Sequence, residues 1–209
     1  AAKDALKHGK NFINASYISD EINQLKNEIS HKGLSFIGEL GLDPGIDHIS
    51  ISKMLDEINQ SGGKIKSLFS FCGGLAQIDQ NDDNPWKYKF TWNPRNVVLA
   101  GQGTAKYIEN SKLRFIPYSR LFKQIRTIEI ESEGKFDAYA NRDSLHYLEA
   151  YGLKDIESIL RGTLRREGFC EKWAAIIDLG LTDDSFLMDI PKDFTYAQFS
   201  ASFLPEGIK

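Results

Sequence analysis

Apolar residues follow two different spacings along this chain, and the change comes near residue 64. Before it, apolar residues recur every three or four positions in three segments, which predicts helices at 1–8, 20–32 and 44–60. Short apolar runs between them predict two strands, at 12–15 and 34–40. Each helix is followed by a glycine that can end it: Gly9, Gly33 and Gly62. This order of elements is typical of an α/β fold.

Beyond residue 64 the spacing becomes the period of two that is typical of strands. Over 64–72 it places Phe69 and Phe71 on one side of a predicted strand and Cys72 on the other. Further strands are predicted at 112–118, 125–131, 135–140 and 158–166. Helices are predicted after Pro94, after Asp143 and over 169–179. The predicted fold class is therefore α/β moving into α+β.

Composition narrows the class of protein. The 209 residues are 41% apolar and 26% charged, which is typical of a folded chain rather than a disordered one. The net charge of −3 argues against a surface that coats nucleic acid, because such a surface needs an excess of basic residues. No apolar run is long enough to span a membrane, so we expect neither nucleic acid nor membrane as a partner.

Cysteines and histidines bear on compartment and metal binding. Cys72 and Cys170 lie far apart in a chain that is long enough to bury a core without disulfides. We therefore predict two reduced thiols in a cytoplasmic protein. The four histidines are scattered and show no zinc-ligand spacing, so no metal site is predicted.

The start of the chain and its glycines bear on cofactor binding. The first predicted helix has no N-terminal start signal, and a predicted strand follows it directly. This pattern is expected for the last elements of a doubly wound domain. A Gly-x-Gly pattern occurs at 101–103, but Lys106 stands where the third glycine of the dinucleotide fingerprint would be. We therefore expect no glycine-rich phosphate loop in this chain, and its cofactor-binding residues stay unassigned.

Several motifs in a fixed order carry a resemblance to a known family. They are ELGLDPGIDH at 39–48, SFCGGL at 70–75, DNP at 83–85, YKFTWNPR at 88–95, YANRDS at 139–144 and RGTLR at 161–165. Each motif is weak by itself. Together, in this order and over nearly the whole chain, they resemble saccharopine dehydrogenases of the L-glutamate-forming type, also called saccharopine reductases.

The resemblance implies a fold and an activity. Such enzymes use an NADP-type cofactor to interconvert saccharopine with glutamate and aminoadipate semialdehyde in lysine metabolism. They pair a Rossmann domain with an inserted substrate domain that also forms a homodimer. By this resemblance, residues 1–19 are the end of a truncated dinucleotide-binding domain, and residues 20–209 are the substrate-binding and dimerisation domain. We expect this chain alone to be inactive and to bind no NADP tightly.

Arg142 is the first candidate for binding substrate. Saccharopine carries three carboxylates, and a guanidinium is a planar fork that matches two carboxylate oxygens. The family's substrate arginine falls at the Asn-Arg-Asp motif that contains Arg142, and a family position that contacts a substrate carboxylate falls at Thr163. The alternative role for Arg142 is an ion pair with Asp143 or another nearby acid.

Asp43 is the candidate catalytic residue. It precedes a predicted helix and can serve as a simple N-cap. The matching aspartate of the family faces the substrate amine, where a carboxylate would stabilise a cationic nitrogen, and both roles can coexist. Close by, His48 has the pKa range of a general base, but the hypothesis that it is a hydrogen-bonded structural histidine is favoured.

The remaining candidates lie at predicted strand ends, where α/β proteins commonly bind ligands. Cys72 and Gly73 end one strand, and we expect Cys72 to line the substrate pocket rather than act as a nucleophile. Ser16 and Tyr17 follow another strand and either contact substrate or cofactor or form a turn. Three aromatic residues alternate as a predicted strand face of the core or dimer interface: Tyr88, Phe90 and Trp92. Arg161 and Arg165 are expected on one face of a strand, as solvated cations.

Some positions depart from the family pattern. Ala76, Gln77 and Ile78 stand where many relatives have Pro-Ala-Pro, Asn96 replaces a glycine and Trp86 a leucine. Because this loop is expected to border the substrate, two alternatives stay open. One is the same fold acting on another carboxylated secondary amine such as carboxynorspermidine, which would favour acidic pocket residues. The other is a non-catalytic dimeric module that binds a small molecule.

Overall fold

A computed structural model of the chain describes residues 1–77, 83–99, 102–153 and 155–207. The chain divides into two compact units, Ala1–Ile65 and Lys66–Lys209. The division by family resemblance, at residues 19 and 20, stays a prediction. Among the described residues, no helix combines the length and the apolar character that a membrane span requires.

The first unit contains a small parallel sheet and four helices. Strands β1 (Phe12–Ile13) and β2 (Phe36–Ile37) pair in parallel and are connected through two short helices. The helices are α1 (Ala2–Lys7), α2 (Asp20–Asn23), α3 (Lys26–His31) and α4 (Ile46–Gln60). The predicted α/β order of this region is confirmed. Its core is built from apolar residues at helical spacing: Leu6, Ile29, Ile51 and Leu55.

Two expectations in this unit were wrong. The predicted helix over 20–32 is two helices, because the Leu25 N–H donates to the carbonyl of Ile22, three residues back, at 3.0 Å. This bond interrupts the α-helical ladder, in which each N–H reaches four residues back. The helical spacing over 44–60 predicts Ile51, Met54 and Leu55 on one apolar face, but in α4 Met54 is exposed whereas Ile51 and Leu55 are buried.

The second unit is built on a six-stranded mixed sheet. Five of its strands follow the order β5-β4-β8-β7-β6, and β3 pairs with β8. The strands are β3 (Ser67–Cys72), β4 (Ala105–Glu109), β5 (Lys112–Ile116), β6 (Arg126–Ile130), β7 (Gly134–Ala140) and β8 (Ser158–Arg166). The helices are α5 (Pro94–Leu99), α6 (Tyr118–Leu121), α7 (Tyr147–Ala150), α8 (Phe169–Asp178) and α9 (Tyr196–Ala201). This confirms the predicted α+β character of the region.

Strand β8 is the centre of this sheet. It pairs in parallel with β3 and antiparallel with both β7 and β4. A methyl group at Gly162, in the middle of β8, would lie 2.6 Å from the ring of Phe71 and 2.8 Å from the carbonyl oxygen of Tyr139. Only glycine allows the aromatic side chain of β3 to cross β8 at this point.

The core of the second unit is aromatic. Helix α8 packs Phe169 and Trp173 into it, with their rings stacked at 5.4 Å between centroids. Phe122 lies against Tyr139 of β7 at 4.5 Å between centroids. Helical spacing over 169–179 predicts an apolar face that contains Phe169 and Trp173, and α8 buries both residues. Burial of such rings is a leading source of stability in a domain of this size.

Two features of this unit differ from the sequence predictions. Strand β4 was not predicted, although Asn110 and Ser111 both have positive φ, as in the two-residue turns that join antiparallel strands. Tyr88, Phe90 and Trp92 form no strand in the part of the chain that the structure describes. Tyr88 instead packs edge-on against Phe90 and Phe169, and the amide of Asn84 donates to the Tyr88 carbonyl at 2.8 Å, which shapes this segment as a loop.

Candidate functional site

Arg142 lies in the turn that follows β7, with an exposed side chain and a φ of 37°. Non-glycine residues seldom adopt this left-handed conformation, which costs on the order of 1–3 kcal/mol when the surroundings impose it. Such strain is concentrated at functional sites. Arg142, which the sequence had nominated, is one of six non-glycine residues with a positive φ in the described part of the chain.

Hydrogen bonds on both sides impose this conformation. The Lys106 N–H donates to the carbonyl of Arg142 at 2.7 Å, and the Ser144 N–H donates to the carbonyl of Lys106 at 2.8 Å. On the other side, the Asn141 N–H donates to the carbonyl of Arg161 at 2.8 Å. The carboxylate of Asp143 pairs with Lys106 at 3.3 Å and accepts the N–H of Leu145, so the alternative of an Arg142–Asp143 ion pair is not what the structure contains.

Cys72, Thr163 and Tyr139 lie side by side across three adjacent strands. Cys72 of β3 is in register with Thr163 of β8, and Thr163 is in register with Tyr139 of β7. A methyl group at Gly73 would lie 2.5 Å from the carbonyl oxygen of Leu164, so the chain after β3 can pass β8 this closely only with glycine there. The structure therefore brings together three residues predicted separately: Cys72, Gly73 and Thr163.

Tyr139 is the cross-strand neighbour of Thr163, and it is buried. Burial raises the pKa of Tyr139, and the nearby Arg165 guanidinium only partly offsets this effect. Tyr139 is thus a neutral hydroxyl at physiological pH, on the strand next to Thr163.

The predicted exposure of Arg165 was wrong. Two positions along β8 from Thr163, it is only 6% exposed, not a solvated cation. Its Cζ lies 5.0, 5.5 and 5.8 Å from the ring centroids of Tyr88, Phe169 and Tyr139. Its Nη1 donates to the Leu164 carbonyl at 3.0 Å, whereas its Nε has no hydrogen-bond partner in the described part of the chain.

This environment is unusual for a guanidinium. Aromatic faces attract a cation, but in the described residues no carboxylate forms an ion pair with Arg165. The buried carboxylate of Asp137, on the neighbouring strand, supplies an opposite charge, and the unpartnered Nε is a donor that an anion from outside the chain can use. Arg161 is also buried, at 4% exposed, with its Cζ 4.3 Å from the Tyr147 ring centroid. The expectation of two solvated arginines was wrong, because β8 is the central strand.

Asp137 anchors the start of α8 beside Arg165. Its carboxylate oxygen Oδ2 accepts the N–H groups of Gly168 and Cys170, at 3.1 and 3.0 Å. Asp137 is also the cross-strand neighbour of Arg165. Burial, reinforced by the Asp137 charge, raises the pKa of the Cys170 thiol well above its ordinary range, so Cys170 is a neutral core thiol.

The first unit holds the other candidates. The hydroxyl of Tyr17 donates to Oδ1 of Asp43 at 2.7 Å. The N-cap of α4 is Gly45 rather than Asp43, so the simple capping role does not apply to Asp43. Ser16 is exposed after β1, and its carbonyl accepts the N–H of Glu39 at 3.0 Å. His48 Nε2 lies 3.7 Å from Oδ2 of Asp47. The structure thus joins Tyr17 to Asp43.

The departures from the family pattern have partly structural explanations. Trp86 packs edge-on against Phe169 and Trp173, with 6.1 Å between each pair of centroids, so this substitution enlarges the core. Asn96 lies in α5, where its N–H donates to the side chain of Asn93 at 3.5 Å. Ala76 and Gln77 lie in a loop, and Ile78 lies outside the described residues.

The described residues do not fit a dinucleotide phosphate site. Gly103 stands between α5 and β4, and Gly101 lies outside the described residues. The fingerprint requires the opposite order, a strand followed by glycines and then a helix. Among the described residues, no three potential metal-ligating side chains cluster together.

The topology defines a mixed α/β domain built on a six-stranded sheet, and comparison with known proteins identifies the family. Residues 41–206 match the family model of the saccharopine dehydrogenase C-terminal domain. The chain is 38% identical over 182 residues to the NADP(+), L-glutamate-forming saccharopine dehydrogenase of Saccharomyces cerevisiae, covering 87% of this chain and 41% of that protein. The solved structure of the apo, histidine-tagged yeast enzyme gives a TM-score of 0.78 over 88% of this chain and 41% of that one.

A second group of relatives is longer. The chain is 34% identical to mitochondrial alpha-aminoadipic semialdehyde synthase of Mus musculus over 86% of this chain and 19% of that protein. The chain belongs to the saccharopine dehydrogenase family, as its motifs had indicated. It spans about two fifths of the length of the yeast enzyme.

Proposed function

We propose that this chain is the substrate-binding part of an NADP-dependent oxidoreductase that interconverts saccharopine with L-glutamate and aminoadipate semialdehyde in lysine metabolism. The observation that carries the proposal is the cross-strand row of Cys72, Thr163 and Tyr139, with the buried Arg165 two positions from Thr163 on β8. Family membership supplies the substrate class.

Carboxylate recognition is the main task of the second unit. Arg165 offers a desolvated guanidinium, Thr163 a hydroxyl on the same strand, and Arg142 an exposed guanidinium on a hydrogen-bonded turn. Charge-assisted bonds to a carboxylate are about twice as strong as neutral ones, and more so where water is excluded. A substrate with several carboxylates suits two arginines better than a polyamine does.

Asp43 is proposed to face the substrate amine. Its carboxylate accepts the Tyr17 hydroxyl, and a carboxylate stabilises a cationic nitrogen placed beside it. Holding the amine in one protonation state and orientation is the protein's share of the chemistry. The cofactor supplies a hydride acceptor when bound. Ser16, Tyr17 and Cys72 are proposed as further substrate contacts.

The test is NADP reduction that depends on saccharopine, measured on the complete gene product that contains this chain, with carboxynorspermidine assayed in parallel. Reduction with saccharopine supports the proposal. Activity on the polyamine alone would keep the fold and replace the substrate. Absence of activity on both would leave a binding module and contradict the proposal.

We further propose a homodimer in the cytoplasm. The family resemblance supports the dimer. A chain of 209 residues with two cysteines, long enough to bury a core without disulfides, supports a reducing compartment. Light scattering of the purified protein tests the first proposal, since a monomeric mass contradicts it. Localisation of the tagged gene product tests the second.

A further inference from the structure

The strained turn at Arg142 is held by two neighbouring strands that are far away in sequence. Lys106 of β4 donates its N–H to the Arg142 carbonyl at 2.7 Å. Strand β8 accepts the N–H of Asn141 through the Arg161 carbonyl. A φ of 37° persists at a non-glycine residue only where such contacts over-determine it. A residue after Arg142 that bonds to both β4 and β8 would therefore help the turn to keep its conformation.

Ser144 makes that connection. It is 0% exposed. Its N–H donates to the Lys106 carbonyl of β4 at 2.8 Å, and its Oγ accepts the N–H of Arg161 of β8 at 2.9 Å. One residue thus bonds to both strands that flank the turn, to β4 through its backbone N–H and to β8 through its side chain. Without the hydroxyl, the buried Arg161 N–H loses an acceptor, which is unfavourable in a water-excluded place.

We propose that Ser144 is a positioning residue for substrate binding, which fixes the backbone of Arg142 so that its guanidinium is presented in one orientation. This inference rests on the proposed function, because it takes the carboxylate-binding role of Arg142 from there. Ser144 itself, being buried, acts through Arg142 and not on the substrate. The expected signature is a rise in KM for saccharopine with little change in kcat.

A second serine provides a matched control. Ser158 is 5% exposed, and its Oγ also accepts a backbone N–H, that of Asn110, at 2.9 Å. It lies at the start of β8, outside the turn that carries Arg142. Ser144→Ala and Ser158→Ala therefore each remove one buried hydroxyl and one bond of the same kind and length. Loss of stability is common to both, whereas an effect on KM belongs to Ser144 alone.

The experiment compares steady-state kinetics and thermal unfolding of the complete gene product and its variants. We expect Ser144→Ala to raise the KM for saccharopine about fivefold, the scale of one lost buried hydrogen bond, with kcat within about twofold. Ser158→Ala is expected to lower Tm by a similar amount and to leave KM unchanged. In an Arg142→Ala background, Ser144→Ala is expected to add nothing to KM, because the two residues act as a unit.

Equal KM shifts in the two serine variants, or additive effects of Ser144→Ala and Arg142→Ala, would overturn the inference while the proposed function stands. An inactive wild-type protein would overturn the proposed function, and the role of Ser144 with it. If Ser144→Ala does not yield folded protein, Ser144→Cys replaces it, since sulfur preserves the volume and is a weaker acceptor. A KM increase of about threefold is then expected, and an unchanged KM contradicts the proposal.

Discussion

Arg142 and Arg165 present the same guanidinium from two unlike parts of the molecule. Arg165 lies on the central strand β8, buried among three aromatic rings. Arg142 lies on an exposed turn whose backbone is strained and held by hydrogen bonds. Packing positions the first side chain, and main-chain bonding positions the second. Substitutions in the two regions should therefore divide differently between stability and substrate binding.

The largest effect is expected from removing the buried charge. Arg165→Met keeps an unbranched side chain in the aromatic cage and removes a desolvated cation, so KM for saccharopine should rise about a hundredfold. Thermal stability should fall as well, because the buried carboxylate of Asp137 loses the cation on the neighbouring strand. Kinetics and calorimetry of the complete gene product measure both. The control is Arg114→Met, which removes an exposed arginine paired with Glu109. A Tm loss with unchanged KM would show that Arg165 is structural.

Substitutions of Arg142 should also weaken substrate binding, but their effect on stability should come from the backbone of the turn. Arg142→Ala is expected to raise KM at least about tenfold, the scale of one lost charge-assisted contact. Arg142→Gly should raise KM equally but be more stable than Arg142→Ala, because glycine adopts a φ of 37° without strain. Chemical denaturation of the two variants measures the difference. An unchanged KM would remove Arg142 from the site, and equal stabilities would contradict the strain.

A smaller effect is expected at Tyr139, which contacts Arg165 and lies on β7, the strand that precedes Arg142. Tyr139→Phe keeps the ring against Phe122 and Arg165 and removes a hydroxyl from the cross-strand neighbour of Thr163. We expect KM to rise about threefold with an unchanged kcat, the scale of losing one neutral hydrogen-bonding group near Thr163. Steady-state kinetics measures it. The same variant in a Thr163→Ala background should show no further effect; a full additional effect would contradict this role.

The smallest effect is a pH dependence confined to the buried region. Burial raises the pKa of Cys170 in the fold above the ordinary thiol value of 9.0, so its contribution to stability is full below about pH 9 and is lost as the pH rises further. Cys170→Ala should therefore flatten the fall in unfolding free energy between about pH 8 and pH 10. The slope that remains above about pH 10 belongs to buried tyrosines such as Tyr139. Identical slopes in the wild type and the variant would contradict the assignment.

Much of the second unit could be predicted from local patterns. The predictions for β5 to β8 and for α8 hold because period two and period 3.6 record which side of each element is apolar. Strand β4 escaped, although Asn110 and Ser111 offered a turn pattern. The error at Tyr88, Phe90 and Trp92 shows the limit of the method, because alternating aromatics describe a strand only where a neighbouring strand offers hydrogen bonds.

The sequence by itself determined the family, the order of the elements and the candidates at Arg142, Asp43 and Thr163, because each depends on residues that are near one another in the chain. The tertiary structure decided how deep Arg165 lies and what holds Arg142. Both depend on partners distant in sequence, since burial of β8 requires β3, β4 and β7 around it. The bonds of Ser144 likewise join Lys106 to Arg161. Burial and strain are properties of the assembled sheet, and no local pattern encodes them.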